Sequence, residues 1–196
     1  MQRRIRVNKR SEPADDMDVV DLLIHQHNEI RELFTEVKRS KGEARAEAFG
    51  RLRRLLAVHE TAEEEIVHPN ARRMAEDGDL IIDRRLAEEN LSKRMLSELE
   101  HMGADSPEFP KRLQDLRQAV LDHAENEERE EFPAIREHAS EQQLRVMATA
   151  VKAAEALAPT HPHPGVESTG ANLLIGPYAA MMDRTRDAVR KVMKRS

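Results

Sequence analysis

The sequence predicts an all-α fold, an up-down-up-down four-helix bundle with additional C-terminal helices. Three observations carry this expectation. Leu, Ala, Glu, Arg and Met dominate a chain of 196 residues in which only 3% are aromatic and Trp is absent. These are residues that lose little side-chain freedom in a helix. Apolar residues recur every three to four positions through four long stretches, which is the repeat of one helix face. Between the stretches stand breakers: Gly42, Asp77-Gly78-Asp79 and Gly103.

Arg3, Arg4, Arg6, Lys9 and Arg10 form a basic start with no apolar pattern, so residues 1–16 are expected to be a solvated tail. Ser11 to Asp16 reads as a helix entry with acidic residues in the first turn. The first helix then runs to about Ser40, with Val20, Leu23, Ile24, His27, Ile30, Phe34 and Val37 on one face. The second places Phe49, Leu52, Leu56, His59, Glu63, Ile66 and Asn70 inward, and Pro69 should kink or end it early. The third spans about Leu80 to His101, with Ile82, Leu86, Glu89, Leu96 and Leu99 inward. Ser106 as N-cap and Pro107 as first helical residue open the fourth, which carries Leu113, Leu116, Val120, His123 and Glu127 until Pro133 disturbs it. Short links between such helices make neighbours antiparallel, which assigns residues 17–140 to the bundle. A C-terminal extension, 141–196, follows: a helix over about Glu141 to Leu157, an extended Pro/His-rich linker at 158–170, and a last helix from about Ala171 to Met193. In that helix the Met181-Met182 pair with Val189, Val192 and Met193 reads as a stripe docking on the bundle or, as a homodimer contact, on a second subunit.

A net charge of −5 argues against a nucleic-acid partner, which would call for a basic stripe. The absence of cysteine excludes disulfides, thiolate zinc sites and iron–sulfur clusters. No apolar run approaches the roughly 18 residues of a membrane span, so the expected location is the cytoplasm, without a membrane partner.

The chemistry lies in a duplication. His59 to Glu64 and His123 to Glu128 are both H-x-x-x-E-E, each with a proline ten positions after its histidine, Pro69 and Pro133. Residues four apart on a helix share a face, so each motif sets an imidazole beside a carboxylate. His27 joins them from the first helix, whereas His25, about 200° around from it, points outward. One histidine on an apolar face is ordinarily a satisfied core residue. A carboxylate on such a face costs several kcal/mol unless it is paired or bound to a metal. Arg51, Arg53 and Arg54 sit off the second helix's stripe, so no arginine neutralises Glu63. Two facing His-Glu pairs therefore make a site for two metal ions, and carboxylate-rich, histidine-containing bundle sites suit iron or manganese.

On these residues the chain resembles the hemerythrin-like HHE cation-binding domains over about residues 17 to 140. The resemblance implies a pair of iron ions, oxo- or hydroxo- and carboxylate-bridged. His27 is implied as the first-helix ligand, His59 with Glu63 as the second-helix pair, and His123 with Glu127 as the fourth-helix pair, the two glutamates bridging. The third helix departs from the family pattern, since no histidine occurs between Leu80 and Glu100. Helical phase points to Glu89 as the donor there, with Glu88 as the alternative, and Glu60 is a further candidate beside His59. His68 and His101 are expected at the surface or behind the ligands. His163 and Tyr178 are tail residues that could reach the open side, Tyr178 more simply as core packing. Exchanging an imidazole for an anionic carboxylate stabilises ferric iron. The expected ligands are thus O2, peroxide or NO, with catalase-like or oxidase-type chemistry rather than reversible oxygen carriage. A redox sensor acting through a protein partner without turnover is the alternative.

Overall fold

A computed structural model describes residues 17–157 and 178–193, and every regular element among them is helical. The basic tail, the 158–170 linker with His161 and His163, and the start of the last expected helix lie outside the described residues.

Helix α1, Val19–Arg39, starts where the Asp18 carboxylate accepts a hydrogen bond from the Asp21 N–H at 2.9 Å, satisfying one of the orphan donors of the first turn. Its buried face carries Val20, Leu23, Gln26, His27, Ile30, Phe34 and Val37, while Ile24 is only half-buried. Ser40 and Lys41 reverse the chain, and α2 follows, Gly42–Ala62, its first glycine at φ +53°.

Pro69 does not break this helix. One π-helical turn, Glu63–Val67, precedes α3, His68–Met74. A proline ring clashes with the carbonyl four residues back. Widening the turn, so that the His68 N–H donates to the Glu63 carbonyl five residues back, carries the helix past the proline. The fourth long helix repeats the device: α5, Phe109–Asn126, then a π turn at Glu127–Glu131 in which the Phe132 N–H donates to the Glu127 carbonyl, then α6, Phe132–His138. Each π turn inserts one residue, and every later side chain is turned about 100° from where an uninterrupted α-helix would put it. Asn70, expected on the inner stripe, is therefore half-buried, and Ala71 takes the buried place.

Helix α4, Gly78–Met102, follows a tight turn, and α5 begins at Phe109 with Glu108 as N-cap and Pro110 in the first turn. The expected start at Ser106 and Pro107 falls instead in the preceding turn, where the Ser106 Oγ accepts a long 3.4 Å bond from the Glu108 N–H. Gly78 is required by close approach: a Cβ there would stand 2.3 Å from the backbone oxygen of Arg72. Gly78→Ala should cost about 1–3 kcal/mol, read as a lowered urea midpoint, because a backbone carbonyl does not yield like a side chain.

Helix α1 packs on α2, α4 on α5, and α3 against both α4 and α6. Helix α7, Glu141–Leu157, lies on α1 and α2, and α8, Tyr178–Met193, on α2 and α7. Met181, Met182 and Val189 of α8 are buried within this one chain. The apolar core has two parts. One includes Val20, Leu23, Ile66, Ile82 and Ile135; the other includes Ile30, Phe34, Leu52, Leu56, Leu99 and Leu116. Along α1, His27 falls between Leu23 and Ile30, and in the second helix His59 and Glu63 fall between Leu56 and Ile66. The polar layer is thus closed by hydrocarbon at both ends.

Candidate metal centre

Donor groups from four long helices converge in that layer. His27, His59, Glu63 and Glu127 offer atoms that all lie within 4.8 Å of one another. Glu63 also forms such a group with Glu89 and His123, and Glu127 forms one with His68 and Glu131. All eight residues are buried. The two motif glutamates are the ones shared between groups.

Each imidazole is held from behind and faces inward. His59 Nδ1 bonds to Gln26 Oε1 at 2.7 Å and its Nε2 stands 3.2 Å from Glu63 Oε1. His27 Nδ1 bonds to Glu128 at 2.8 Å, with Nε2 3.4 Å from Glu127 Oε2. His123 Nδ1 meets Glu88 at 3.0 Å, and its Nε2 lies 3.3 Å from the other Glu127 oxygen. Such outer partners fix ring orientation and leave the other nitrogen free to coordinate. The His27 ring is also stacked on Phe132, with centroids 5.7 Å apart.

The inward atoms lack partners. His27 Nε2, His123 Nε2 and both carboxylate oxygens of Glu63 and of Glu127 are buried without a hydrogen bond. Buried polar groups are normally satisfied, because leaving them bare costs about 1–3 kcal/mol each and more when charged. A cation at the convergence point would satisfy all of them together, and an all-imidazole and carboxylate donor set fits iron or manganese.

The electrostatics say the same. Burial, and then the neighbouring Glu127, push the Glu63 carboxyl well above its usual range. Burial would raise Glu127 too, but His123 and His27 outweigh it and hold Glu127 well below. Burial lowers His59 well below its ordinary value, with the other histidines adding to the effect. Burial opposes the charged form of His123 as well, yet Glu127 prevails and raises it well above.

Glu89 of α4 lies within the cluster, whereas Glu88 is half-buried behind His123, where it also accepts from Asn126 at 3.0 Å. Glu60 is buried beside the centre, raised to about 8 by burial and then by Glu89, with Lys93 Nζ 3.7 Å away. Lys93 also bonds to Glu89 Oε2 at 3.0 Å and to Glu64. Tyr178 is buried at the start of α8; burial and then Glu60 raise its phenol well above the usual value. His25 is exposed beside Glu29, and His101 is exposed.

The sequence left the place of His68 open and missed two further features. His68, expected at the surface or behind the ligands, is buried and bonds through Nε2 to Glu89 Oε1 at 2.6 Å and through Nδ1 to Glu131 Oε1 at 2.8 Å. Burial works against its charge, but Glu131 and Glu89 outweigh this and raise it to about 10. Gln26, an uncharged residue one position from His27, is fully buried and joins His59 to Glu155 of α7. Arg53 is buried against Phe49 and paired with Glu100, and Arg85 is buried near Glu88 and Glu130 at 3.3 and 3.5 Å. The interior does contain arginines, but their ion pairs are with these outer glutamates. The available signal for His68 was the shared proline spacing, which marks both π turns.

Comparison with known proteins gives a consistent picture. The hemerythrin HHE cation binding domain matches residues 18–135. A DNA nickase of Nostoc sp. strain PCC 7120 is 34% identical over 141 residues, 71% of this chain, which spans only 40% of that relative's length. An uncharacterized hemerythrin-like protein of Schizosaccharomyces pombe is 29% identical over 69% of this chain and 68% of its own. A crystal structure of a hemerythrin HHE cation binding domain-containing protein from Mycobacterium kansasii superposes with a TM-score of 0.63, covering 90% of this chain and 93% of that one at 18% identity, and shares the fold.

Proposed function

Since this chain belongs to the hemerythrin HHE cation binding domain family, we propose that it holds two iron ions in the polar layer and binds O2, peroxide or nitric oxide there. The observation that carries the reading is the set of bare, buried, inward oxygens on Glu63 and Glu127, each glutamate belonging to two donor groups at once. His27 and His59 would hold one ion, His123 and Glu89 the other, with Glu63 and Glu127 spanning both. When bound, iron supplies Lewis-acid and one-electron redox chemistry. The chain's own part is to orient and exclude. Gln26, Glu128 and Glu88 fix the three rings, and the apolar clusters on either side keep out bulk water. Lys93 offsets Glu60 and Glu89, so that these carboxylates do not leave the layer strongly anionic.

The test is metal analysis of the purified protein with its near-ultraviolet spectrum, followed by peroxide addition. Expected are two irons per chain, absorption of a bridged ferric pair, and oxygen evolution from peroxide. A colourless, iron-poor protein after anaerobic iron loading would overturn the reading. A second reading, a redox sensor speaking to a protein partner, is favoured by one observation. Arg186 of α8 pairs with Glu64 at 3.0 Å, and Glu64 pairs with Lys93, which bonds to Glu89, so the C-terminal helix is wired to the centre. Inert iron with redox-dependent partner binding would select it.

Iron uptake should release protons. Without metal, burial favours the protonated form of Glu63, Glu127 favours that of His123, and His68 is raised to about 10. A cation must displace the protons that lie on its ligands, so affinity should increase as pH rises from 6 to 8. Ferrous iron added anaerobically to lightly buffered protein should acidify it; an unchanged pH and a flat affinity profile would contradict this.

A further inference from the structure

We propose that His68 is a fourth histidine ligand, binding through Nε2 and supplying the imidazole that the third long helix lacks. This rests on the two-metal reading above. The four buried histidines share one construction: Nδ1 is tied to an outer side chain, Gln26, Glu128, Glu88 or Glu131, and Nε2 faces a carboxylate of the cluster. A carboxylate behind Nδ1 is the usual support of a metal-bound imidazole. His68 follows this pattern, with the difference that its Nε2 is hydrogen-bonded to the cluster carboxylate, whereas those of His27 and His123 are bare.

The π turn explains how it gets there. In an α-helix a residue five after Glu63 would lie about 140° away. Here the His68 N–H closes a ring onto the Glu63 carbonyl, which brings both side chains to the same face. The duplication then shows what is unusual. His59, Glu63, His68 and Pro69 correspond to His123, Glu127, Phe132 and Pro133. In one half Phe132 stacks on the first-helix imidazole, His27. In the other half His68 stands in the place of Phe132 and touches Glu89, the cluster's donor from the third long helix as His27 is from the first. An imidazole thus stands at the end of the second long helix, and a carboxylate on the third.

A purely structural ion pair accounts for this poorly. Lys93 already neutralises Glu89 from its other oxygen, and an apolar ring packs the equivalent position. The group of His68, Glu127 and Glu131, whose donor atoms fall within 4.8 Å of one another, sets His68 next to the shared glutamate Glu127, with Glu131 there as the support of Nδ1. Its 2.6 Å hydrogen bond brings Nε2 to Glu89 Oε1, a carboxylate of the adjoining donor group of Glu63, Glu89 and His123.

The experiment is proton NMR of the full chain loaded with cobalt(II). Each imidazole bound through Nε2 keeps an exchangeable Nδ1–H whose resonance is strongly shifted by the paramagnetic ion. Four such resonances are expected, and His68→Phe and His68→Gln should each remove one while weakening uptake of the second ion about tenfold or more. Three resonances in the wild type, or an unchanged set with both ions retained in either variant, would overturn the inference. The wild-type count decides the matter even if the phenylalanine variant fails to fold. Failure of the wild type to take up two cobalt ions would instead remove the two-metal reading itself, and the inference with it.

Discussion

Iron binding should be lost when His59 is replaced by alanine, and equally in His123→Ala. Removing even an outer partner of a metal ligand typically costs 10–100-fold in affinity. Removing a ligand costs more, because the ion then loses one of its own donors. His59→Ala strips one group of its only α2 imidazole, leaving His27, Glu63 and Glu127. His123→Ala takes the only nitrogen from the group with Glu63 and Glu89. His25→Ala, on an exposed residue, is the control that should keep full iron content. Metal per chain after gel filtration, with circular dichroism to verify folding, measures all three. Near-stoichiometric iron in both His59→Ala and His123→Ala would refute the assignment.

The second large effect is on stability. Glu60, Glu63, Glu89, Glu127 and Glu131 are all buried in one small region. Without a cation the fold must either leave carboxylates unpaired or keep protons on them, as the raised Glu63 and Glu60 show. For these two groups the folded value exceeds the unfolded one. Their contribution is therefore favourable below about pH 4.5 and is lost as pH rises, through about 8 for Glu60. Bound cations reverse this by giving the ionised oxygens a partner. A ligand present at 100–1,000 times its Kd stabilises by about 3–4 kcal/mol. For a chain of this size that corresponds to roughly 5–15 °C in Tm. Chelation should lower Tm by this amount at pH 7.5, and the gap between metal-free and iron-loaded protein should widen as pH rises. In the double variant Glu63→Gln with Glu127→Gln, added iron should leave Tm unchanged. Equal melting of chelated and iron-loaded wild type would count against a buried cation.

No helix among the described residues is long and apolar enough to cross a membrane, in line with the absence of any long apolar run in the sequence.

The long helices and the His-Glu pairs were legible in the sequence because both depend on local spacing. Residues four apart meet on any α-helix, so His59 with Glu63 and His123 with Glu127 follow from the chain alone. The inner stripes of α1 and of the fourth long helix likewise follow from a 3.6-residue repeat. Beyond Glu63 and Glu127 that repeat fails. The π turns reset the phase, so Asn70 gave way to Ala71, and His68 turned inward from a position that uninterrupted counting places elsewhere. Helical phase already favoured Glu89 over Glu88; what packing between helices distant in sequence added is that Glu88 stands behind His123. The burial of Gln26, Arg53 and Arg85 was decided in the same way. Polarity predicts a surface position for such residues, and only partners from other helices, His59, Glu100 and Glu130, make the interior affordable.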